Sequence, residues 1–300
     1  MDIPRILKFT VPAEFDGALL KVFLRRGCGL SSHLMVSLKQ TENGILLNGR
    51  HARVIERVAA GNTVTLSLPA EDCPVEPAAL PLTVVYEDAH LLILNKRAGM
   101  PVHPTSCGHQ IDTLANAVSF YMRKRGERYA FRPLNRLDKD TTGLVLTAKE
   151  QYSAYRLKTG VEKQYTAVCE GVFSGSGTVD APIRIKEGHV IEREAGNGGQ
   201  RAVTHYKAIK CLDNHTLARF ALETGRTHQI RVHMAYLGHP LAGDEMYGGS
   251  RELIARQALH CGEISFKHPV IDEKIKLSAP LPDDMKRLLE QISTKTMQNG

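Results

Sequence analysis

Apolar residues first recur at helical spacing at Leu19, Leu20, Phe23 and Leu24, and Gly27 and Gly29 then interrupt the chain. Ser31 or Ser32 can cap a second helix that carries Leu34, Met35 and Leu38. Two short apolar runs follow within GILLNGRHARV, on either side of Asn48-Gly49, a pair that favours a tight hairpin turn. A further strand, TVTLSL, comes after a turn at Gly61-Asn62. Residues 1–70 therefore read as a small α/β unit. Residues 71–81, EDCPVEPAALP, hold three prolines and little periodicity, which predicts a semi-extended linker. From Leu82 the pattern changes: LTVVYEDAHLLILNK reads as strand, turn and strand, and GLVLTA, QYTAVCEGV, VTHYKAI, LARFALE and ISFKH read as later strands. Many strands with few helices between them predict an α+β domain with a mainly antiparallel mixed sheet over residues 82–289. The polar residues 290–300 read as a flexible tail.

Composition changes this picture little. Of 300 residues 42% are apolar and 24% charged, as in an ordinary globular chain, and the length suits a small domain plus a larger one. No apolar run approaches the ~18–20 residues needed to span a bilayer. The opening MDIPRILKFT lacks a signal-peptide pattern, so a cytoplasmic location without membrane contact is expected. The six cysteines (Cys28, Cys73, Cys107, Cys169, Cys211, Cys261) are scattered without a C-x-x-C pair, so they read as reduced thiols rather than metal ligands.

Charge adds more. The formal net charge is +7, which suits a polyanionic partner. Up to residue 70 there are nine Lys/Arg against five Asp/Glu, and Lys21, Arg25, Arg26 and Lys39 sit on or beside the two expected helices. These four can be a solvated helix face or a phosphate-contacting surface, and charge alone leaves the two even.

Three segments carry candidate chemistry. In RPLNRLDKDTTGLVLTAK, Asp138 and Asp140 precede a Thr-Thr-Gly turn and a buried strand, a placement that suits a site at a sheet edge. By composition alone an Asp-rich turn is the simpler reading, and the phosphate-loop spacing is absent. In VEKQYTAVCEG, Tyr165 taken alone is a packing residue. In LETGRTHQIRVHMAYLGHPLAGDEMYG, Thr224-Gly225-Arg226 reads as a turn into a short helix presenting His228, Arg231 and His233. With His239 these histidines invite a metal reading, but they lack the i, i+4 spacing that puts two ligands on one helix face, and no metal is expected. A buried arginine is better matched to a carboxylate.

Taken together the segments resemble the RluA-type pseudouridine synthases. RLDKDTTGLVLTAK resembles their H-R-L-D-x-x-T-S-G block, EKQYTAVCEG their K-x-Y strand, and TGRTHQIRVHMAYLGHPLAGD their T-G-R-x-H-Q-[IL]-R-x-H block. VVYEDAHLLILNKRAGMPVHP is similar to their opening block, and the likeness spans roughly residues 82–285. Residues 11–66 look like the RNA-binding domain first known from a ribosomal small-subunit protein, the S-four-like domain. The resemblance implies an isomerase that detaches uracil from ribose and rejoins it through carbon 5, without a cofactor.

It also implies roles. Asp138 matches the essential aspartate, as nucleophile or as base, and Arg231 its cationic partner. Tyr165 matches the tyrosine that stacks on the base or serves as general base, and Arg136 the arginine that fills the place of a flipped nucleotide. Asn135, Thr142, Arg226 and His228 fall in the matching blocks as substrate-binding candidates, and Asp140 as an outer residue. Lys21, Arg25, Arg26 and Lys39 become RNA-binding candidates. Three positions depart from the pattern: Asn135 stands for the usual His, Arg97 for Pro and Thr142 for Ser. The expected partner is ribosomal RNA of the large subunit, with transfer RNA second, and the expected state is a monomer. The competing readings are a non-catalytic RNA-binding or ribosome-assembly protein, which would tolerate loss of Asp138, and a metal-dependent hydrolase, which would carry stoichiometric zinc.

Overall fold

The computed structural model describes residues 5–69, 71–104 and 111–299. Cys107 lies outside them, and the other five cysteines are free thiols.

Near the N-terminus, β1 (Arg5–Thr10), β2 (Ile45–Leu47), β3 (Arg50–His51) and β4 (Thr63–Leu68) form an antiparallel sheet in the order β1-β4-β2-β3. Asn48 and Gly49 both take positive φ, 51° and 80°, which is the geometry the tight β2–β3 turn requires. The first expected helix is short: α1 (Leu20–Val22) runs into a π turn at Phe23–Gly27. Ser31 caps α2 (Ser32–Gln40) by accepting from the Leu34 amide at 3.0 Å. Leu20, Leu24, Leu34 and Leu38 pack with Val64 and Leu66 of β4 into one buried core.

The larger unit is built on a mixed sheet of ten of the described strands. They are β5 (Val84–Glu87), β6 (Leu91–Lys96), β7 (Arg132–Pro133), β8 (Thr142–Ala148), β9 (Glu162–Glu170), β10 (Ser176–Asp180), β13 (Val203–Leu212), β14 (His215–Leu222), β15 (Leu259–Lys267) and β16 (Lys274–Ser278). The order along the sheet is β10-β13-β14-β9-β15-β8-β6-β5, with β7 added to β8 and β16 to β15. β11 (Ile183–Ile185) and β12 (Arg193–Ala195) make a separate hairpin. Every pairing in the large sheet is antiparallel except β15 with β8. The α+β class and the mainly antiparallel mixed sheet expected from the sequence are thus what the chain forms. α3 (Leu114–Lys124), capped by Thr113, covers the sheet, and α4 (Gln151–Arg156) and α5 (Gln229–Tyr236) follow β8 and β14.

One expectation needs correction. Residues 290–299 are not a loose tail, because α6 spans Asp283–Asn299. Met285, Leu288 and Ile292 are fully buried beside Val168 and Ala258, at the i, i+3, i+7 spacing of one helix face. The stretch 71–81 is extended, as expected, and is pinned along its length. Asn116 Nδ2 and Ser119 Oγ of α3 donate to the Glu76 and Val75 carbonyls, Cys73, Val75 and Leu80 pack on the core, and Glu71 pairs with Arg132. No helix among the described residues is long and apolar enough to cross a membrane.

The two cores interlock at Tyr152 of α4. Its ring lies in the N-terminal core, edge-on to Phe9 at 6.0 Å, and its hydroxyl donates to the Cys28 carbonyl at 2.9 Å. Tyr152→Ala should therefore cost about 3–5 kcal/mol, as other large aromatic truncations do. The check is urea unfolding, with Tyr152→Phe retaining most of the stability because it loses only the hydroxyl.

Candidate active site

A pocket of about 580 Å³ opens where the loop before β8 meets β9 and the start of α5. Asp138, Tyr165, Arg136, Arg226, His228 and Arg231 all line it, although they come from separate parts of the chain.

The loop 138–141 is tied down from several sides. The Thr141 amide donates to the Asp138 carbonyl at 3.1 Å, closing a turn. Lys96, at the end of β6, is buried and donates to the carbonyls of Arg97 (2.9 Å), Met100 (2.8 Å) and Lys139 (2.8 Å). Three such bonds use all three donors of an ammonium. Burial pulls its pKa down to about 7, against the opposing charges of Asp138 and Asp140. Arg256 adds a bond to the Asp140 carbonyl at 3.0 Å while it grips Asp284 of α6 with two nitrogens at 2.7 and 2.9 Å. Asp140 itself accepts from the Gly99 amide and serves the loop from outside the pocket.

Asp138 faces two nitrogen groups. Arg231 Nη1 donates to its Oδ2 at 3.2 Å, and His228 Nε2 lies 3.9 Å from its Oδ1. The rest of the guanidinium is held by Asp244, with Nε to Oδ2 at 2.6 Å and Nη2 to Oδ1 at 2.8 Å. Burial disfavours the charged guanidinium, yet the bonds to Asp244 and the charges of Asp244 and Asp138 together raise its pKa further. Asp244 is 2% exposed, and the sequence patterns did not single it out. Its only local signal is a position after Gly243, whose φ of +79° marks a tight turn.

His228 is not inside the helix but immediately before it, in the left-handed conformation at φ 59°. That backbone is uncommon for a residue with a side chain, and it turns the imidazole toward Asp138. Burial lowers its pKa, with Arg231 and Arg193 acting in the same direction and Asp138 and Asp244 opposing. The turn before it is fixed by Gln229, whose Oε1 accepts from Thr224 Oγ1 and the Arg226 amide while Nε2 donates to the Val203 carbonyl. The remaining histidines go elsewhere: His233 meets Thr204 and the Ala181 carbonyl, and His239 the Glu170 carbonyl. They do not converge with His228 on one point.

Tyr165 is 6% exposed on β9, directly paired with Cys261 of β15. Burial drives its phenol well above the ordinary range, and Cys261 and Asp138 push the same way. Like an ordinary tyrosine it keeps its proton at neutral pH. Arg136 stands exposed at the rim and makes no ion pair among the described residues. Arg226 is exposed and donates from Nε to the Arg201 carbonyl.

Two substrate-binding candidates are placed otherwise. Thr142 points away from the pocket, buried within 2.9 Å of His260 Nδ1, and it is Thr141 that lines the cavity. Thr141 precedes β8, and its hydroxyl accepts from Gln257 Nε2 at 3.2 Å. Asn135 lines the pocket wall, but its amide is committed: Nδ2 donates to the Leu144 carbonyl and Oδ1 accepts from the Leu146 amide, both at 2.9 Å. It anchors the loop to β8 instead of offering its amide to substrate. In the N-terminal unit Lys21, Arg25, Arg26 and Lys39 are exposed, and Arg25 also donates to the Leu30 carbonyl at 2.6 Å.

Comparison with known proteins is consistent in direction. The family described as RNA pseudouridylate synthase matches residues 90–236. The chain is 39% identical over 272 residues to the uncharacterized RNA pseudouridine synthase YjbO of Bacillus subtilis (strain 168), covering 87% of this chain and 95% of that one. It is 38% identical over 275 residues to the ribosomal large subunit pseudouridine synthase D of Xanthomonas campestris pv. campestris, covering 82% and 80%. Among solved structures, human RNA pseudouridylate synthase domain containing 4 aligns at a TM-score of 0.55 and 23% identity over 70% of this chain and 92% of that one, a likeness of fold.

Removing Asp244 would leave a buried guanidinium with half its partners. Asp244→Ala is expected to lower stability by about 3–5 kcal/mol, the usual penalty for breaking a buried ion pair from one side. Chemical denaturation measures it, and Asp138→Ala, at a half-buried position, should cost much less.

Proposed function

The chain belongs to the RNA pseudouridylate synthase family, and from that premise we propose that it isomerises uridines of large-subunit ribosomal RNA with Asp138 as the reacting carboxylate. As an RNA pseudouridine synthase it is an isomerase: the N1–C1′ bond of uridine breaks, a C5–C1′ bond forms, and a proton passes from C5 to N1. The observation that carries the assignment is the placement of Asp138. It lines the pocket with about a quarter of its side-chain surface open, Arg231 bonding one oxygen and His228 lying 3.9 Å from the other. Such a carboxylate can attack the sugar or the base, or remove a sugar proton, without first leaving a saturated hydrogen-bond shell.

Uracil has to leave the RNA stack to reach it. The buried, protonated Tyr165 offers a ring face for the flipped base, and the rim position of Arg136 suits the gap left in the helix. Arg226 and His228 are assigned to the sugar and phosphates around the target, with Thr141 in the place first given to Thr142. The relatives named ribosomal large subunit pseudouridine synthase D support the choice of ribosomal RNA. The N-terminal unit, residues 5–69, is assigned to docking on structured RNA in the manner of an S-four-like domain. Its support is the excess of exposed basic side chains on α1, the π turn and α2. Residues 82–299 form the catalytic unit, extended past 289 because α6 packs on it.

Carbodiimide-adduct primer extension on large-subunit ribosomal RNA is the direct test, since the reaction leaves mass unchanged. Asp138→Ala should lower isomerisation by roughly 10⁴-fold or more while RNA affinity stays within a few-fold. Full activity in that variant rejects the assignment, and stops appearing only in transfer RNA move the substrate. Neutralising Lys21, Arg26 and Lys39 together should flatten the salt dependence of RNA affinity by about one log–log unit for each phosphate that no longer has a cationic partner. An unchanged slope would remove this face as the docking surface.

A further inference from the structure

Tyr247 touches both nitrogen partners of Asp138. It ends a 3-10 turn, Glu245–Tyr247, that begins directly after Asp244. Its ring lies under the Arg231 guanidinium, 4.9 Å from centroid to Cζ, a cation–π contact. Its hydroxyl lies 2.8 Å from His228 Nδ1 and accepts from the Arg193 amide at 3.0 Å. Arg193 opens β12, so the same oxygen joins the β11–β12 hairpin to the pocket.

The hydrogen count points to one tautomer of His228. The Tyr247 oxygen already accepts from the Arg193 amide, and its single proton has the His228 Nδ1 lone pair as its acceptor. Nδ1 is then unprotonated, and the proton of a neutral imidazole must sit on Nε2, the nitrogen that faces Asp138 Oδ1. The groups around this imidazole are Asp138 from the loop before β8, Arg231 on its own helix, Asp244 and Tyr247 from the turn after α5, and Arg193 from the hairpin. Arg231 thus bonds one oxygen of Asp138, an Nε2–H faces the other across 3.9 Å, and Tyr247 supports both groups.

We propose that Tyr247 is a positioning residue for isomerisation: its hydroxyl holds His228 as the Nε2–H tautomer facing Asp138, and its ring steadies Arg231. The inference rests on Asp138 being the reacting carboxylate. With Nε2–H presented, the 3.9 Å gap to Asp138 Oδ1 leaves a donor beside the carboxylate that can meet a substrate oxygen. If His228 takes a second proton it becomes a cation that pairs with Asp138, and the carboxylate is no longer available to substrate. Activity should therefore fall as pH drops through the His228 pKa, which burial holds below its ordinary value.

Tyr247→Phe keeps the ring and removes the hydroxyl. Neutral His228 then loses the bond that stabilises it, so its pKa rises. The expected result is a kcat lower by about 10- to 100-fold with KM for large-subunit ribosomal RNA little changed. The acid limb of the kcat profile should move up by about 0.5–1 pH unit, the worth of one neutral hydrogen bond. In a His228→Asn background the same substitution should add almost nothing. A kcat loss without movement of the acid limb, or additivity with His228→Asn, overturns the proposal, because a merely structural tyrosine would behave that way.

A second readout is independent of substrate. Nitrogen-15 NMR of histidine-labelled full-length protein, with His228 assigned by its loss in His228→Asn, should show a protonated Nε2 in the wild type. That preference should weaken in Tyr247→Phe. A wild-type Nδ1–H tautomer refutes the inference even if the enzyme is active. If the wild type leaves ribosomal RNA unchanged, the substrate assignment fails, while the NMR result still decides this one.

Discussion

The guanidinium of Arg231 lies between two carboxylates, and the form of the site follows from how it is divided between them. Asp244 takes Nε and Nη2 in a two-pronged grip, which leaves only Nη1 for Asp138. Had Asp138 received the fork itself, each of its oxygens would accept a charge-assisted bond and less of the carboxylate would be open to a substrate. A buried ion pair is costly to desolvate, so an arrangement of this kind is retained where its geometry serves a purpose beyond stability. Asp244 is almost fully buried and satisfied, whereas Asp138 keeps about a quarter of its side-chain surface open. One carboxylate fixes the cation, and the other uses it.

The sheet delivers these groups to one place through its single parallel pairing. β9 and β8 are separated by β15, so Tyr165 and the end of the Asp138 loop sit two strands apart. β15 pairs with β8 only over His260–Thr142 and Cys261–Gly143. Gly143 makes that short contact feasible: its φ is +114°, and a Cβ there would collide with the Cys261 backbone. The strand is then set so that Thr142 turns inward to His260 and Thr141 turns to the pocket. On the far side Arg256, gripped by α6, holds the Asp140 carbonyl, so the C-terminal helix shares in placing the loop.

Much of this was legible in the sequence, and the gaps have physical causes. The strands, the Ser31 cap and the Asn48-Gly49 turn are encoded within a few residues and could be read directly. Asp138, Tyr165, Arg136, Arg226, His228 and Arg231 were identified through motif blocks, and the structure brings them to one pocket. Gln229 lay inside a motif block but its turn-fixing role was not read, whereas Asp244 and Tyr247 were missed because their roles are set by contacts that no local pattern encodes. Tyr247, for instance, meets His228 across 19 residues and Arg193 across 54. The extent of α6 was misjudged for a simpler reason. Polar residues dominate after 290, and Ile292 completes an apolar face whose earlier members are Met285 and Leu288.

Asn135 shows how a departure from a family pattern can keep a loop in place. β7 pairs with β8 through Arg132 and Pro133, and the Leu134 amide then donates to the Leu146 carbonyl. Beyond that point the Asn135 side chain takes over, its adjacent donor and acceptor matching the Leu144 carbonyl and the Leu146 amide as a strand backbone would. A neutral imidazole also has one donor and one acceptor, but they diverge across the ring and cannot reproduce that side-by-side pair. The amide cannot be protonated in the working pH range, so the anchor three residues before Asp138 is indifferent to pH. Of the imidazoles that line the pocket, the one facing Asp138, at 3.9 Å, is that of His228, before α5.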